Sequence, residues 1–176
     1  MKIFRFKKID STNNVAFRYA EKKAPSGSVF VADYQTDGRG KWGRKWESPK
    51  GKNLLFSILM RPKLKASEAP LLTQTVCRSV AKVLKDKFNL PLTFKRPNDL
   101  LVNGKKICGV LIEAKGQANG KLDTLAIGVG LNVNSLFKEL VPGATSLLEE
   151  TGKRQMKTAL LQEILDRLTL DLKGVE

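Results

Sequence analysis

Asp99 and Lys106 flank Asn103-Gly104, the strongest two-residue hairpin signal in the chain. A two-residue turn there pairs Val102 with Lys105, Leu101 with Lys106, Leu100 with Ile107 and Asp99 with Cys108. The spacing predicts that Asp99, Leu101, Lys106 and Cys108 share one sheet face. The acid and the base are then diagonal neighbours, about 7–8 Å apart at the backbone. Leu101, Cys108 and Val110 around them are apolar. A carboxylate and an ammonium on such a face are costly unless they pair or bind something. Spacing alone fits both a structural ion pair and a ligand-binding pair. Cys108 reads as a small core residue, since it has no histidine to activate it.

A second group is Gly38-Arg39-Gly40-Lys41-Trp42-Gly43, which has the pattern G-x-G-x-x-G after an expected strand. The dinucleotide-binding form of that pattern opens a helix. The continuation, Arg44-Lys45-Trp46-Glu47-Ser48-Pro49-Lys50-Gly51, carries Pro and Gly and no helical periodicity, which excludes it. HRD, DFG and GxxxxGK[ST] are absent too. What remains is a glycine-rich loop with cations between its glycines. Glycine lets backbone approach an anion closely. Arg39 and Arg44 can fork onto carboxylate or phosphate oxygens. Trp46 can stack on a base or anchor the loop. A solvated loop without fixed structure is the alternative from composition.

The 176 residues contain no histidine. Ser-His-Asp and Cys-His machinery and HExxH zinc sites are thereby excluded. The two cysteines, Cys77 and Cys108, cannot close a four-ligand zinc site. Lys, Arg, Asp, Glu, Asn, hydroxyls and backbone amides remain, an inventory suited to charge stabilisation on a phosphate or acyl phosphate. The net charge is +15, from 32 basic and 17 acidic residues. That balance invites a nucleic-acid reading, but the cations are dispersed. Lys82, Lys85 and Lys87 fit the solvated face of a helix. The densest cluster, Arg39, Lys41, Arg44, Lys45, Lys50 and Lys52, suffices for a polyanionic small molecule such as ATP. No apolar run approaches the ~20 residues of a membrane span, and MKIFRFKKID lacks the features of a signal peptide. A cytoplasmic protein with reduced thiols and no membrane partner is expected.

These groups must be held by a scaffold. Lys2–Ile9 alternates apolar and polar residues and reads as a strand. Asp10-Ser11-Thr12 starts a helix carrying Val15, Ala16, Tyr19 and Ala20. Ser28–Gln35 is a second strand, Asp37–Asn53 a long polar loop, and Leu54–Met60 a buried strand. Ser67 is expected to cap a helix running to Phe88, with Leu72, Val76, Val80, Val83 and Leu84 on one face. Leu92–Lys95, Asp99–Val102, Lys105–Glu113 and Lys121–Val129 read as further strands, the last pair joined by a turn at Asn119-Gly120. A short helix near Ser146–Glu150 and a last one over Met156–Leu172 complete the pattern. The expectation is an α+β fold in one domain over 1–176: a mixed, mostly antiparallel sheet flanked by helices.

Taken together, the motifs resemble the catalytic domain of biotin protein ligases, the biotin–[acetyl-CoA-carboxylase] ligases. The matching pieces are Asp10-Ser11-Thr12-Asn13, Tyr34-Gln35 with Gly38 to Trp46, Pro97-Asn98-Asp99-Leu100, Lys106 ahead of Gly109-Val110-Leu111, and Gly128-Val129-Gly130-Leu131-Asn132. Their order and spacing cover about residues 8–134. The resemblance implies the fold of class II aminoacyl-tRNA synthetases and lipoate ligases. It implies a two-step reaction: biotin and MgATP give biotinyl-5′-AMP and pyrophosphate, and the adenylate then acylates a lysine of a biotin carboxyl carrier domain. That partner would belong to acetyl-CoA carboxylase or a related carboxylase; a homodimer is among the assemblies allowed, and nucleic acid is not an expected partner.

Roles follow by position in the resemblance. Ser11, Thr12 and Asn13 would contact the biotin ureido ring, with helix capping as their plain structural role, and Gln35 would also line the biotin site. Gly38, Arg39, Gly40 and Lys41 would close over biotin and the adenylate, Arg44 would bind phosphate and Trp46 the adenine side. Lys106, Asp99 and Arg39 would be catalytic. Lys106 would hold the biotin carboxylate and then the α-phosphate; Asp99 would orient the metal or the incoming amine. Asn98, Gly109 and Asn132 belong to the matched binding motifs. Magnesium would enter through the ATP phosphates. Lys41 stands where the family often has arginine, and Arg96 where it usually has tryptophan. The family's SH3-like C-terminal domain and the N-terminal helix-turn-helix of some relatives are not expected within this sequence. The rival readings are a lipoate or octanoyl ligase or transferase, and a basic nucleic-acid-binding module with a vestigial site.

Overall fold

The computed structural model describes residues 1–62, 64–118 and 121–173. Seven strands, β1 (Ile3–Phe6), β2 (Val29–Ala32), β3 (Leu54–Met60), β4 (Leu92–Lys95), β5 (Asp99–Val102), β6 (Lys105–Ala118) and β7 (Lys121–Leu131), form one sheet. Its order is β1-β2-β3-β7-β6-β5-β4. β1 and β2 run parallel, and the other neighbouring pairs antiparallel. The parallel pair needs a crossover, which helix α1 (Thr12–Glu21) supplies.

The helices cover both faces. α1 lays Val15, Ala16 and Phe17 on Phe30, Leu59 and Ala126. On the opposite face, α2 (Ala69–Phe88) and α4 (Lys157–Asp171) join the larger core, with Val76, Val80 and Leu84 of α2 and Ile164, Leu165 and Leu168 of α4 among its members. Strand β3 is therefore buried at every position, which explains a sequence that is apolar but for Ser57. Each fully buried Leu, Ile or Phe here contributes about 1.5–3 kcal/mol of transfer free energy. The first turn of α1 ends over Gly128, where Asn13 reaches the Leu111 carbonyl and Glu113 on β6. There the α1 face carries glycines: Gly109 lies opposite Gly130, and Gly128 opposite Leu111. Missing side chains at these positions leave a hollow.

The expected elements are present: β3, β4 and β5 have the expected ends, β1, β2, α2 and α4 are shorter, and β6 and β7 run further than expected. Ile9 and Gln35 leave their strands but still form an isolated parallel bridge. Ser146 caps the short helix α3 (Leu147–Thr151) by accepting a hydrogen bond from the Glu149 N–H. Ser67 is not a cap: it lies in a 3₁₀ turn over Ala66–Glu68, and α2 begins after Glu68 with Pro70 in its first turn. The expected turn at Asn119-Gly120 lies outside the described residues.

The hairpin at Asn103-Gly104 forms with both residues at positive φ, 49° and 78°, as a type I′ turn requires. Its register corrects the sequence expectation. Val102 pairs with Lys105 and Leu101 with Lys106, but Leu100 then pairs with Cys108 and Asp99 with Gly109. The irregular step between Leu100 and Leu101 takes in one extra residue on β6. Ile107 and Cys108 both go into the core. Cys108 therefore leaves the face of Asp99 and Lys106, while the acid and base stay together.

Candidate active site

A cavity of about 350 Å³ opens over the glycine hollow, bounded by the start of α1, the loop after β2, and the ends of β4, β5 and β6. Its floor is Gly109, Gly128 and Gly130, with the indole of Trp46 over Gly109 and Gly130 and Asn13 over Gly128. A Cβ built on Gly130 would fall 2.5 Å from the Trp46 ring, and one on Gly128 would fall 2.6 Å from Asn13 Oδ1. Only glycine permits this close approach. The Trp46 Nε1–H is buried without a hydrogen-bond partner. An unmet buried donor costs about 1–3 kcal/mol, which a ligand acceptor would recover.

One wall is the N-terminus of α1. Ser11 occupies the N-cap position, yet its side chain makes no capping hydrogen bond. Gln35 Oε1 instead accepts from the Thr12 N–H at 2.7 Å and from the Thr12 hydroxyl at 3.0 Å. Ser57, the one polar residue of β3, lies 2.7 Å from the Thr12 hydroxyl and 2.5 Å from Asn13 Oδ1. Asn13 Nδ2 donates to Glu113 at 2.7 Å and to the Leu111 carbonyl at 3.3 Å. The cap is thus a fixed polar network, and Ser11 is buried beside it in the cavity lining.

The glycine-rich loop is an ordered flap. The Gly40 N–H donates to the Arg44 carbonyl and the Trp46 N–H to the Gly38 carbonyl, around an Arg39–Lys45 bridge. A 3₁₀ turn over Lys41–Gly43 forms the tip, where Trp42 has φ 58° and is 73% exposed. Lys41 Nζ and the Arg44 guanidinium stand over the Trp42 ring, 6.0 and 5.1 Å from its centroid. No helix follows the glycines, as expected. Gly38 is outside the cavity lining and backs Gln35 and Trp46, with no room for a Cβ.

At the other end, Lys106 Nζ lies 2.8 Å from Asp99 Oδ1. That oxygen receives no hydrogen bond of good geometry, so the contact is an ion pair. The same ammonium stands 5.3 Å from the centroid of the Trp46 ring. Lysine 106 and the flap therefore converge on one cavity. Asn98 is buried in the lining and ties its loop to β6, donating to the Val110 carbonyl and accepting the Val110 N–H.

Two expected site residues are placed differently. Asn132 lies outside the lining, where its amide donates to the Thr145 carbonyl and accepts from Asn53. Arg39 lines the cavity, but its guanidinium is committed to Glu113 and to Asn14 Oδ1. Sequence reasoning missed Glu113, Asn14 and Ser57 as site-building residues, and Lys95 and Arg96 as lining cations; Lys45 of the expected cationic cluster does line the cavity. A lone serine in Leu54–Met60 was a legible signal, and so was Glu113, two residues beyond Leu111 on the Gly109 face.

The cavity is strongly electropositive. Arg39, Lys41, Arg44 and Lys45 line it from the flap, and Lys95, Arg96 and Lys106 from the sheet; Asp99 is the one acid. Such a concentration of positive charge suits an anion larger than a single carboxylate. The thiols take no part. Burial pushes Cys77 up to about 12 and Cys108 well above its ordinary range, so neither is a thiolate at neutral pH.

The family model of the biotin/lipoate A/B protein ligase family matches residues 5–132. The chain belongs to that family. Among its relatives is the bifunctional ligase/repressor BirA of Bacillus subtilis, 34% identical over 161 residues, covering 89% of this chain and 49% of the relative. The biotin–[acetyl-CoA-carboxylase] ligase of Paracoccus denitrificans is 36% identical over 155 residues, 81% of this chain and 61% of the relative. The chain thus spans about half the length of the BirA relative. The biotin protein ligase of Aquifex aeolicus in complex with biotin and ATP superposes with a TM-score of 0.80 at 34% identity, over 98% of this chain and 70% of that one. The mixed sheet with helices on both faces is the catalytic-domain fold of this ligase family. Among the described residues, no helix is long and apolar enough to cross a membrane.

Proposed function

We propose that this chain activates biotin with ATP and transfers it to a lysine of a carboxylase carrier domain. The observation that carries this reading is the convergence of Lys106, Trp46 and the cationic flap on one glycine-floored cavity. Thr12, Asn13 and Gln35 form its polar wall. A bicyclic urea with an apolar tail and an acid end fits such a site. Ser11, Thr12, Asn13 and Gln35 hold the biotin head group, the rings and tail lie beside the Trp46 indole that covers the glycine floor, and Lys106 meets the carboxylate.

The first step joins two anions. A biotin carboxylate oxygen attacks the α-phosphorus of ATP, the bond to the bridging oxygen breaks, and pyrophosphate leaves. The protein aligns the pair and neutralises its charge without forming a covalent bond. Lys106 has three donors, so it can keep Asp99 while bridging carboxylate and α-phosphate. Lys41 and Arg44 bind the phosphates, and Trp46 lies on the adenine side with its free N–H. Gly38 and Gly40 give the flap its close approach, which keeps water from the mixed anhydride. In the second step a lysine amine attacks the acyl carbon and AMP leaves. Asp99 is placed to orient that amine and take its proton.

Among the described residues, no cluster of three or more His, Cys, Asp or Glu side chains could hold a metal. Magnesium is proposed to arrive with the ATP phosphates. A chain with this activity works in the cytoplasm, where ATP and the carboxylase carrier are found. Incubation with biotin, α-labelled ATP and magnesium tests the reading. Biotin-dependent biotinyl-AMP is expected; its absence, with lipoate-dependent adenylate instead or with steeply salt-dependent polynucleotide binding, overturns it.

A further inference from the structure

Glu113 lies outside the cavity lining, yet two of the lining's working parts rest on it. Its carboxylate accepts from Arg39 at 3.0–3.3 Å through Nε and Nη2, and from Asn13 Nδ2 at 2.7 Å. Arg39 belongs to the first strand of the flap, and Asn13 to the polar wall. The side chains of Glu113 and Arg39 are 30% and 29% exposed, so the pair is half shielded and its fork geometry is fixed.

The second grip on Arg39 comes from α1. Asn14 Oδ1 accepts from Arg39 Nη2 at 2.7 Å, while Asn14 Nδ2 donates to Asp10 at 2.8 Å. Asp37, on the same loop, adds a longer contact of 3.7 Å. The flap is therefore clasped to β6 and to α1 at its base. The carboxylate also decides which way the Asn13 amide faces. With Nδ2 held by Glu113, Oδ1 must face Ser57 and Gly128.

We infer that Glu113 is a positioning residue: it clasps the flap shut through Arg39 and orients the Asn13 amide for the ligand. The inference deepens the proposed function and rests on it for the identity of the ligand. It changes the meaning of Arg39, whose cation holds the flap rather than the phosphate.

The test uses Glu113→Gln, Glu113→Ala, Arg39→Ala and the double variant of the last two, each checked for folding by its thermal midpoint. Two readouts apply: release of preformed biotinyl-AMP, and tryptic cleavage within the Arg39–Lys45 segment mapped by mass spectrometry. Glu113→Ala and Arg39→Ala are each expected to speed both about tenfold, the scale of one charge-assisted pair. In the cleavage readout, which reports the flap alone, the double variant should be no faster than Arg39→Ala. Glu113→Gln, which keeps an acceptor for Asn13 but loses the charge, should speed adenylate release more than it weakens biotin binding. Glu113→Ala should impair both. Wild-type cleavage and release rates in folded variants overturn the inference, as do fully additive effects on cleavage in the double variant. If Glu113→Ala does not fold, the isosteric glutamine carries the test. If the wild type makes no biotinyl-AMP, the functional reading falls, and the proteolysis comparison still decides the clasp.

Discussion

Lys106 Nζ lies 2.8 Å from Asp99 Oδ1 across the irregular step where β5 and β6 change register. Without the extra residue on β6, Cys108 would stand on this face; with it, Gly109 lies opposite Asp99. The ammonium thereby gains a neighbouring acid, an aromatic face and open space. Lys106→Ala removes the one lining cation that both ion-pairs with Asp99 and stands over Trp46. Single-turnover adenylate synthesis should fall by about 10²–10³-fold, the scale of losing one preorganised charge at a reacting group. The thermal midpoint should change little, because the side chain is partly exposed. Unchanged synthesis would refute the assignment.

How much of this was legible in the sequence depends on what each residue type declares by itself. The hairpin was legible because Asn-Gly has a strong local preference, and β3 because a strand apolar on both faces, with Ser57 its one polar residue, must be covered on both. The pairing of Asp99 with Lys106 was foreseen for the wrong register. The bulge depends on Ile107 and Cys108 both being drawn into a core built by α2, α4 and the sheet, a tertiary demand absent from the local pattern. Ser67 failed as a cap because Pro70 and the preceding 3₁₀ turn set the helix start. Asn132 matched a motif by spacing, but its amide serves the fold, bridging Asn53 and Thr145.

Gly130 is a second sensitive point. Its missing Cβ is what lets the Trp46 indole lie on the sheet. Gly130→Ala should displace the ring, since the new methyl would meet ring carbons 2.5–3.0 Å away and no rotamer of alanine avoids it. Adenylate formation should drop at least about tenfold, the effect of a misplaced binding group. Tryptophan emission should shift to the red as Trp46 moves toward solvent. A variant with wild-type emission and wild-type activity would show that the ring's seat is not what matters.

The thiols provide a check on the mechanism itself. Cys77 and Cys108 are free and fully buried, and burial holds both in the neutral form. At pH 8, a thiol reagent should label neither at an appreciable rate in the native protein and both after unfolding. Adenylate formation should survive brief exposure to the reagent. Fast native labelling of Cys108 with loss of activity would reopen a covalent route through an acyl thioester.

Acid sensitivity should report the ion pair beneath the polar wall. Arg18 hydrogen-bonds Asp10 through both Nη atoms, at 2.7 and 2.9 Å, and holds its carboxyl well below the usual carboxylate range. A carboxylate with a depressed folded-state pKa stabilises the fold fully above its unfolded value, about 3.9, and loses that contribution as pH falls toward the folded value. Asp10→Asn should therefore be less stable than wild type at pH 7, by at most about 1 kcal/mol for a pair this exposed. The difference should shrink as pH is lowered from about 4 toward 2. Denaturant melts of both proteins across that range measure it. A gap that stays constant would mean that the Asp10 charge does not stabilise the fold.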